Sequence, residues 1–275
     1  MIQDSDFLQM QGKVAIVTGA ATGLGAATAQ ILAAAGANVL INHMPGQKSQ
    51  AQTVADKCVS NGASDSLCQS GDITKDDECK HIVQAAIDQW GRVDILINNA
   101  GINKPVEHDD LDGLSANDFM DIYNVNVIGA YQMIRAVAPA MKAQGKGVVV
   151  NVSSGSGESG YGSSVAYSAS KGAMNTLTKS LGRALAPAIR VNAVCPGMVI
   201  TPLWDKLQQT EEQRAAWLKA VIADIPLQTE PTSEIIARSI LYLASDLSAH
   251  LTGQLITVDG GSSLGLYQPM YKQKK

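Results

Sequence analysis

Short runs of Val, Ile and Leu alternate with Ala-rich stretches of helical periodicity along most of the 275-residue chain. Polar residues do not interrupt the apolar runs at every second position, which indicates strands buried on both faces of a parallel sheet. The pattern predicts seven strands, at residues 13–18, 38–42, 65–71, 93–98, 147–153, 189–195 and 254–258. It predicts helices near residues 23–35, 47–61, 75–90, 115–143, 164–186 and 232–245.

The alternation of strands and helices predicts an α/β fold: a single-domain, Rossmann-type doubly wound parallel sheet of about seven strands, with helices on both faces. No Pro- or Gly-rich linker and no repeat divides the chain, so residues 1–275 are predicted to form one domain. The alternation is interrupted at residues 201–225, where an extra helical stretch precedes the last strand. An insertion beyond the carboxyl end of a strand is typical of a substrate lid, and we expect one there.

Two short motifs predict where helices begin. Thr74 stands three residues before Asp77, and Ser115 stands three residues before Asp118. A side-chain oxygen at the first position of such a motif accepts a free N–H group of the first helical turn. Thr74 and Ser115 are therefore predicted as N-terminal caps.

Composition and charge argue against several classes of protein. With 21 Lys and Arg against 25 Asp and Glu, the chain carries a net charge of −4, so no nucleic-acid partner is expected. No apolar stretch reaches the ~18–20 residues that cross a membrane, and the first residues are acidic where a secretory signal is basic. These features predict a cytoplasmic protein. The four cysteines form no CxxC pair, and no metal site is predicted.

A glycine-rich segment, Thr18-Gly-Ala-Ala-Thr-Gly-Leu-Gly25, lies between the first predicted strand and the first predicted helix. Its glycines let the backbone turn tightly and approach a pyrophosphate, while the helix N-terminus offers N–H groups and a positive dipole. A turn that only caps the helix is the alternative. Its position between a strand and a helix favours dinucleotide binding.

Tyr167 and Lys171 are four residues apart in a predicted helix, so the phenol and the ammonium lie on one helical face. A nearby cation favours the phenolate, and we expect Lys171 to lower the pKa of Tyr167 toward the working pH. Ser153 and Ser154 end the preceding strand, at the edge where α/β sheets present reactive groups. This arrangement favours a tyrosine that exchanges a proton.

Two further segments carry side-chain amides. Asn98-Asn-Ala-Gly101 closes the fourth predicted strand, where small residues admit a cofactor closely, although a simple turn is an alternative. Asn126 shares an apolar helical face with Ile122 and Met133. A buried amide without partners costs about 1–3 kcal/mol, so Asn126 needs either a functional or a purely structural partner.

These motifs, in this order, resemble the short, single-domain branch of the short-chain dehydrogenase/reductase family. The resemblance runs from Gly12 to Gly261 and includes Val258-Asp-Gly-Gly261 as the last strand. It is carried by Thr18–Gly25, Asp72, Asn98–Gly101, Asn126, Ser154, Tyr167, Lys171, Pro196, Gly197 and Thr201. It implies an NAD(P)-dependent enzyme.

The resemblance implies catalytic roles for four residues. Tyr167 would exchange a proton with the substrate oxygen, and Lys171 would hold that tyrosine near its phenolate form and bind the nicotinamide ribose. Ser154 would hydrogen-bond the carbonyl or alcohol oxygen. Asn126 would hold a water that links Lys171 to solvent.

The resemblance also implies a binding site for NAD or NADP. Asp72 would bind the adenine amino group, Asn99 the ribose region, and residues 196–201 the carboxamide. The full set implied for the cofactor is Gly19, Thr22, Gly23, Leu24, Gly25, His43, Asp72, Ile73, Asn99, Ala100, Gly101, Tyr167, Lys171, Pro196, Gly197, Val199 and Thr201.

One position departs from the family pattern. NAD-dependent members commonly have an Asp at the end of the second strand, and NADP-dependent members often have an Arg just after it; here these residues are His43 and Met44. No carboxylate repels a 2′-phosphate, and a protonated His43, Lys48 and the helix N-terminus near Gly46 would attract one. We expect NADP to be preferred over NAD, increasingly so as the pH falls.

The leading interpretation is an oxidoreductase that transfers a hydride between a nicotinamide cofactor and a carbonyl or secondary-alcohol substrate, similar to glucose-dehydrogenase-like members of the family. One alternative is a 3-oxoacyl-thioester reductase, whose pattern overlaps almost completely. Another is a non-catalytic NAD(P)-binding regulator, which the complete Ser, Tyr, Lys and Asn set disfavours. An epimerase or dehydratase of the longer branch needs a larger C-terminal domain than this length allows.

The substrate pocket and the assembly are predicted only in outline. The lid residues Met198, Leu203, Trp204, Leu207 and Trp217 favour an apolar pocket, with Glu158 and Tyr161 on the other side, although the tryptophans alternatively pack the lid to the core. By analogy with the family, we expect a homodimer or tetramer paired through the helices at 115–143 and 164–186.

Overall fold

The computed structural model describes residues 8–200 and 210–265. The strands in this part of the chain are β1 Val14–Val17, β2 Asn38–His43, β3 Ser66–Ser70, β4 Ile95–Asn98, β5 Gly147–Val152, β6 Ile189–Pro196 and β7 Leu255–Val258. The helices are α1 Gly23–Ala34, α2 Lys48–Asn61, α3 Asp76–Trp90, α4 Ala116–Tyr123, α5 Ala130–Ala143, α6 Ser156–Ser159, α7 Val165–Ala184, α8 Glu211–Ala223 and α9 Ser233–Ala244.

The seven strands form one parallel sheet in the order β3-β2-β1-β4-β5-β6-β7. The order reverses between β1 and β4, which are neighbours and pair Val17 with Ile97. In an open α/β sheet, ligands bind outside the carboxyl ends of the strands at such a reversal. The predicted fold class is confirmed, and the reversal point lies beside the glycine-rich segment.

The core explains why the apolar runs are unbroken. Ala15 and Val17 of β1 belong to the buried layer under α1, α2 and α9, whereas Val14 and Ile16 belong to the layer under α3 and α5. All four side chains are at most 1% exposed. Because both faces of the strand are covered, each position is apolar, and burial of each Val or Ile contributes about 1.5–3 kcal/mol.

Of the two predicted helix starts, one is confirmed and one is wrong. The Ser115 hydroxyl accepts the N–H of Asp118 as α4 begins, and the Asp118 carboxylate accepts the N–H of Ser115. Helix α3, by contrast, begins at Asp76 rather than beside Thr74. The Thr74 hydroxyl donates instead to Asp72 at 2.8 Å, so a nearer carboxylate has captured the predicted cap.

The helix predicted at 115–143 is divided in the structure. Helix α4 passes into a π-helical turn, Asn124–Gly129, which leads directly into α5. A π turn contains an extra residue but continues the helical path without a break. The apolar pattern alone therefore does not distinguish these three pieces from one continuous helix. Asn126 lies inside this turn and is fully buried.

The segment predicted as a lid contains helix α8, but residues 201–209 lie outside the described residues. Thr201, Leu203, Trp204 and Leu207 therefore stay sequence predictions. Helix α8 buries none of its residues completely, and Trp217 is half-buried. The short helix α6, which follows Ser154, was not predicted because four residues are too few to show a period.

Candidate active site

The glycine-rich segment turns tightly between β1 and α1. Gly19 and Gly23 adopt left-handed backbone conformations with φ of +60° and +57°. A Cβ added to Gly19 would lie 2.9 Å from the Cα of Ala100, so only glycine allows this approach. The Thr18 hydroxyl accepts the N–H groups of Asn99 and Ala100, both at 3.0 Å, and thereby joins the turn to the end of β4.

Asn99 binds the same turn through its side chain. Its Nδ2 donates to the carbonyls of Thr18 at 2.9 Å and Gly19 at 3.1 Å. A Cβ on Gly25 would lie 2.5 Å from that Nδ2. The side-chain amide nitrogen of Asn99 therefore holds the glycine-rich turn in its conformation.

The first turn of α1 fits a diphosphate. Thr22 precedes the helix in an extended conformation, its hydroxyl makes no capping hydrogen bond, and the first turn contains no acidic residue. The helix N-terminus therefore offers backbone N–H groups without a capping side chain, together with the positive end of the dipole. Thr22, Gly23, Leu24 and Gly25 all lie at this position.

Asn42 belongs to the site but escaped the sequence interpretation. Its Oδ1 accepts the N–H of Gly19 at 3.3 Å, and its Nδ2 donates to the Gly71 carbonyl at 3.0 Å. One buried amide thus joins the turn after β1 to the segment after β3. The available signal was a polar residue inside the Val-Leu-Ile run of β2.

His43 and Asp72 follow neighbouring strands, yet both are engaged within the protein. The His43 ring is only 3% exposed, and its Nδ1 donates to the Met44 carbonyl at 2.8 Å. Asp72 Oδ1 accepts the N–H and hydroxyl of Thr74 at 3.0 and 2.8 Å. The ring Nε2 of His43 and the Oδ2 of Asp72 are the atoms left for other partners, and this Oδ2 lies 4.0 Å from the Nζ of Lys75.

The segment after β3 continues with Ile73, which is a buried apolar residue. Its carbonyl accepts the side-chain amide of Gln132 on α5 at 3.1 Å. A Cβ on Gly129 would lie 2.7 Å from the Cδ1 of Ile73, so the π turn packs directly on this residue. The segment after β3 is thereby linked to the π turn that carries Asn126.

Tyr167, Lys171 and Ser154 converge where β5 ends and α7 begins. Lys171 is 4% exposed, and its Nζ donates to the Val152 carbonyl at 2.9 Å. The same Nζ lies 5.5 Å from the centre of the Tyr167 ring. The spacing of four residues thus places phenol and amine on one face, as predicted.

The pKa values of this pair depart from the sequence prediction. Burial raises the pKa of the Tyr167 phenol, and a hydrogen bond with Ser154 opposes part of the rise. Burial lowers the pKa of Lys171 from 10.5 to about 8. The predicted lowering of the Tyr167 pKa is wrong for the protein alone, because burial disfavours both charged forms.

The side chain of Asn126 contacts the segment that follows β4. Its Oδ1 accepts the N–H of Ile102 at 2.8 Å, and its Nδ2 donates to the Ile102 carbonyl and the Ser170 hydroxyl, both at 3.0 Å. These groups are structural partners of the buried amide, and the water that the resemblance implies for Asn126 stays a prediction. A Cβ on Gly101 would lie 3.2 Å from Asn126 Oδ1 and 3.8 Å from Lys171 Nζ, so these three residues meet.

The end of β6 lies beside the segment that follows β5. The Pro196 carbonyl accepts the N–H of Gly155 at 2.8 Å, which holds this end beside Ser154. The Gly197 N–H donates to the Val258 carbonyl at 3.2 Å. Val199 is half-buried nearby, and Thr201 lies outside the described residues.

A buried polar group supports α7 from below. The Ser153 hydroxyl donates to Asn175 Oδ1 at 2.5 Å, one helical turn beyond Lys171. Neither residue was singled out for this role, because a Ser and an Asn 22 positions apart give no signal in a single sequence. Together with the Lys171–Val152 bond, this contact fixes α7 on the end of β5.

Residues 8–200 and 210–265 contain neither a metal-binding cluster nor a membrane-spanning helix. These residues contain no group of three or more His, Cys, Asp or Glu arranged to hold a metal ion. None of the helices formed by these residues has the length and apolar character needed to span a membrane.

Comparison with known proteins places these observations in context. The family described as "Enoyl-(Acyl carrier protein) reductase" matches residues 19–263. A 3-oxoacyl-(acyl-carrier-protein) reductase of Thermotoga maritima is 35% identical over 255 residues, covering 92% of this chain and 99% of that protein. A trans-4-hydroxycyclohexanecarboxylate dehydrogenase of Sinomonas cyclohexanicum is 35% identical over 259 residues, covering 92% and 93%.

Solved structures agree with this comparison. A short-chain type dehydrogenase/reductase from Mycobacterium marinum superposes with a TM-score of 0.80 at 32% identity, covering 94% of this chain and 98% of that one. A structure from Burkholderia xenovorans, assigned to the same protein family, gives a TM-score of 0.84 at 39% identity, with 92% and 98% covered.

Proposed function

Since the chain belongs to the short-chain dehydrogenase/reductase family and is an NAD(P)-dependent oxidoreductase, we propose that it transfers a hydride between the nicotinamide and a carbonyl or secondary-alcohol substrate. Ser154, Tyr167, Lys171 and Asn126 would form the active site. The observation that carries this proposal is the convergence of the Ser154–Tyr167 hydrogen bond with a buried Lys171, 5.5 Å from the phenol ring. The convergence lies at the carboxyl edge of the sheet.

In the proposed mechanism, the bound cofactor supplies or accepts the hydride. Ser154 donates a hydrogen bond to the substrate oxygen and fixes it beside Tyr167. The Tyr167 hydroxyl gives its proton to that oxygen during reduction and takes it back during oxidation. Orientation by these two hydroxyls is the protein's contribution.

Lys171 would set the charge next to the phenol. With a pKa of about 8, its amine gains and loses a proton close to neutral pH. In its charged form it favours the phenolate of Tyr167 and opposes the effect of burial. Asn126 would act by holding Ile102 and Ser170, which flank this pair.

The proposed cofactor site follows the edge of the sheet. Residues 19 and 22–25 would hold the diphosphate, residues 43, 72 and 73 the adenosine, residues 99–101 the ribose, and residues 196, 197, 199 and 201 the carboxamide. The absence of a carboxylate at His43 and Met44, with exposed Lys48 nearby, supports NADP over NAD. The preference is expected to be modest.

A second candidate is reduction of 3-oxoacyl thioesters. It is supported by the Thermotoga maritima relative, a 3-oxoacyl-(acyl-carrier-protein) reductase at 35% identity. The reacting group is again a ketone, so the same Ser154 and Tyr167 would serve it. The two candidates differ in what is attached to the ketone.

The proposal is tested by following NADPH and NADH oxidation with free ketones, 3-oxoacyl thioesters and sugars, and the reverse reaction with the alcohols. Turnover of at least one free ketone or alcohol supports the leading candidate, and turnover confined to thioesters supports the second. Cofactor binding without turnover of any compound would contradict both and favour a binding-only regulator.

The assembly proposed is a homodimer or tetramer in the cytoplasm. Five large apolar or aromatic side chains on α4, the π turn and α5 are 40–60% exposed: Phe119, Met120, Tyr123, Ile128 and Tyr131. Such a row supports pairing of this helical surface with a second copy. Light scattering of the purified protein tests the assembly, and a monomeric mass would contradict it.

A further inference from the structure

Two irregular segments flank the proposed active site. The β4–α4 loop comprises residues 99–115, and the β5–α7 loop comprises residues 153–164 and includes Ser154 and α6. We propose that His108 of the first loop is a positioning residue, which holds the second loop so that the Ser154 hydroxyl is correctly oriented. This inference rests on the proposed function for the role of Ser154 and for nothing else.

His108 and its neighbour Val106 make direct contacts across the two loops. The ring Nε2 of His108 donates to the Gly162 carbonyl at 3.0 Å, and the backbone N–H of Val106 donates to the Ser163 carbonyl at 2.9 Å. The His108 ring also stacks on Tyr161, with centroids 6.4 Å apart and planes inclined by 28°. His108 therefore combines a hydrogen bond and a ring contact on two consecutive residues of the β5–α7 loop.

Gly162 lies close to both α6 and α7. A Cβ on Gly162 would lie 2.7 Å from the Cβ of Ser156 and 2.8 Å from the Oγ of Ser168. Both serines are buried, and their hydroxyls have no hydrogen-bond partner among the described residues. Close packing, rather than hydrogen bonding, thus presses Gly162 between α6 and α7.

The packing continues from Gly162 to Ser154. The backbone N–H of Ser156 donates to Ser154 Oγ at 3.2 Å. The next residue, Gly157, lies against α7, where a Cβ would be 2.6 Å from the backbone carbon of Lys171. A displacement of Gly162 is therefore passed through Ser156 to the hydroxyl of Ser154, and it shifts α6 against the helix that carries Lys171.

Within the outer part of this loop, the exposed Ser159 hydroxyl donates to the Gly155 carbonyl and accepts the N–H of Tyr161, both at 3.1 Å, but these bonds join the loop to itself and not to a neighbouring element. The hydroxyl of Thr257 donates to Glu158 at 3.3 Å, but both residues are exposed. Tyr161 is 85% exposed and is contacted by His108 alone among described rings. An exposed segment with few packed contacts opens easily, so loss of the hydrogen bond from His108 is expected to increase the opening of this loop.

Three variants separate the hydrogen bond from the ring contact. His108→Phe keeps a ring for Tyr161 but has no N–H, and His108→Gln keeps an N–H donor without a ring. Leu111→Ala changes an 83% exposed side chain in the same loop and is the matched control. We expect His108→Phe to lower kcat for a ketone about 10-fold, since small misplacement of a reacting group is costly. We expect the Gln variant to recover most of this loss and the control to match wild type.

Cofactor affinity distinguishes positioning from general loosening. The proposed diphosphate and adenosine contacts lie at the ends of β1, β2 and β3, away from both loops, so the Kd for NADPH is expected to change less than about twofold in His108→Phe. A Phe variant with wild-type kcat would overturn the proposal. An equal loss in kcat and in cofactor affinity would overturn it too.

A second measurement does not depend on activity. Hydrogen–deuterium exchange of residues 155–164 is expected to accelerate in His108→Phe but not in Leu111→Ala, while α1 and β2 stay unchanged. Unchanged exchange in the Phe variant would overturn the proposal whatever the kinetics. If wild type reduces no carbonyl compound, the proposed function fails, and accelerated exchange would still support the loop contact.

Discussion

Lys171 is an ionisable side chain that is 4% exposed, and its Nζ donates a hydrogen bond to the Val152 carbonyl. A carbonyl accepts a proton donor but does not neutralise a charge, so burial lowers the pKa of the amine to about 8. The residue is therefore stable in its neutral form and costly in its charged form. Burial of Lys171 in its proposed role therefore destabilises the folded protein at neutral pH.

The cost is measurable as a pH-dependent stability. Below pH about 8 Lys171 is charged in both the folded and unfolded states, and above about 10.5 it is neutral in both. Between these values the unfolded state binds more protons, so the free energy of unfolding rises with pH, by up to about 3 kcal/mol. The Lys171→Met variant lacks this rise. Urea unfolding of both proteins near pH 7.5 and pH 10 is expected to favour wild type increasingly at the higher pH; a constant difference would contradict the burial argument.

The proton exchanged with substrate is assigned to Tyr167. Replacing Tyr167 with Phe removes the hydroxyl and keeps the ring, so the packing survives. We expect kcat to fall at least ~10²-fold with little change in thermal unfolding. Steady-state kinetics and a melting curve check both parts. A variant that retains more than about a tenth of the wild-type kcat would show that another group moves the proton.

The sequence pointed to the residues that are proposed to react, but not to the residues that hold them in place. Tyr167 and Lys171 are visible because a helix brings positions four apart together. Asn42, Ser153, Asn175 and His108 act through partners more than 20 positions away. Such contacts depend on how elements pack, which one sequence does not reveal. The sequence also predicted the wrong direction for the pKa of Tyr167, because a neighbouring cation is visible in a motif and the depth of burial is not.

At the scale of elements, the strands were predictable because a sheet covered on both faces leaves a continuous apolar run in each strand. The helices were predictable where an apolar stripe or a cap marks them, as at Ser115. Thr74 failed as a cap because the Asp72 carboxylate, two residues away, competes for its hydroxyl. Local competition of this kind depends on side-chain geometry.

The corner where β2 meets α2 carries the prediction on cofactor choice. Met44 is 48% exposed directly after β2, and the buried His43 ring offers only one nitrogen. We expect wild type to have a higher kcat/KM for NADPH than for NADH, and Met44→Arg to increase this ratio about 10-fold by adding a cation for the 2′-phosphate.

Measurement of the ratio near pH 6 and pH 8 tests whether His43 takes part. A ratio that increases at the lower pH supports its participation. A firm preference for NADH at both pH values, unchanged in Met44→Arg, would contradict the assignment of this corner.

Across the whole molecule, negative charge is concentrated beside the proposed active site. Residues 104–121 contain six carboxylates and one lysine, a net charge of −5, whereas the entire chain carries −4. The rest of the protein is therefore nearly neutral. Glu107, Asp109, Asp110 and Asp112 are exposed in the β4–α4 loop, which contacts the loop that carries Ser154.

This distribution predicts discrimination between substrates with the same ketone. Acetoacetyl-CoA carries several negative charges, whereas the acetoacetyl thioester of N-acetylcysteamine carries none. We expect the neutral thioester to have the higher kcat/KM at low salt, and the difference to shrink near 0.5 M salt because charges are then screened. At low salt, the variant Asp109→Asn/Asp110→Asn/Asp112→Asn is expected to show a smaller difference in kcat/KM between the two thioesters than wild type does. A higher kcat/KM for acetoacetyl-CoA than for the neutral thioester at low salt would contradict the electrostatic argument.

The π turn at Asn124–Gly129 has a consequence for the length of the chain itself. An α-helix closes a turn with 3.6 residues, and a π turn accommodates about one more. Helix α4 packs on α7 before the turn and helix α5 packs on α3 after it, so the additional residue is accommodated within the turn. The path from α4 to α5 contains one residue more than a regular helix would need. The additional residue places the Asn126 side chain against Ile102.

Deleting Val125 is therefore expected to give a regular helix in a protein that still folds but has lost the amide contact to Ile102. We expect cooperative unfolding to persist while kcat falls about 10²-fold. A deletion variant that retains wild-type turnover would show that Asn126 is dispensable, and one that does not fold would show that the surplus residue belongs to the scaffold.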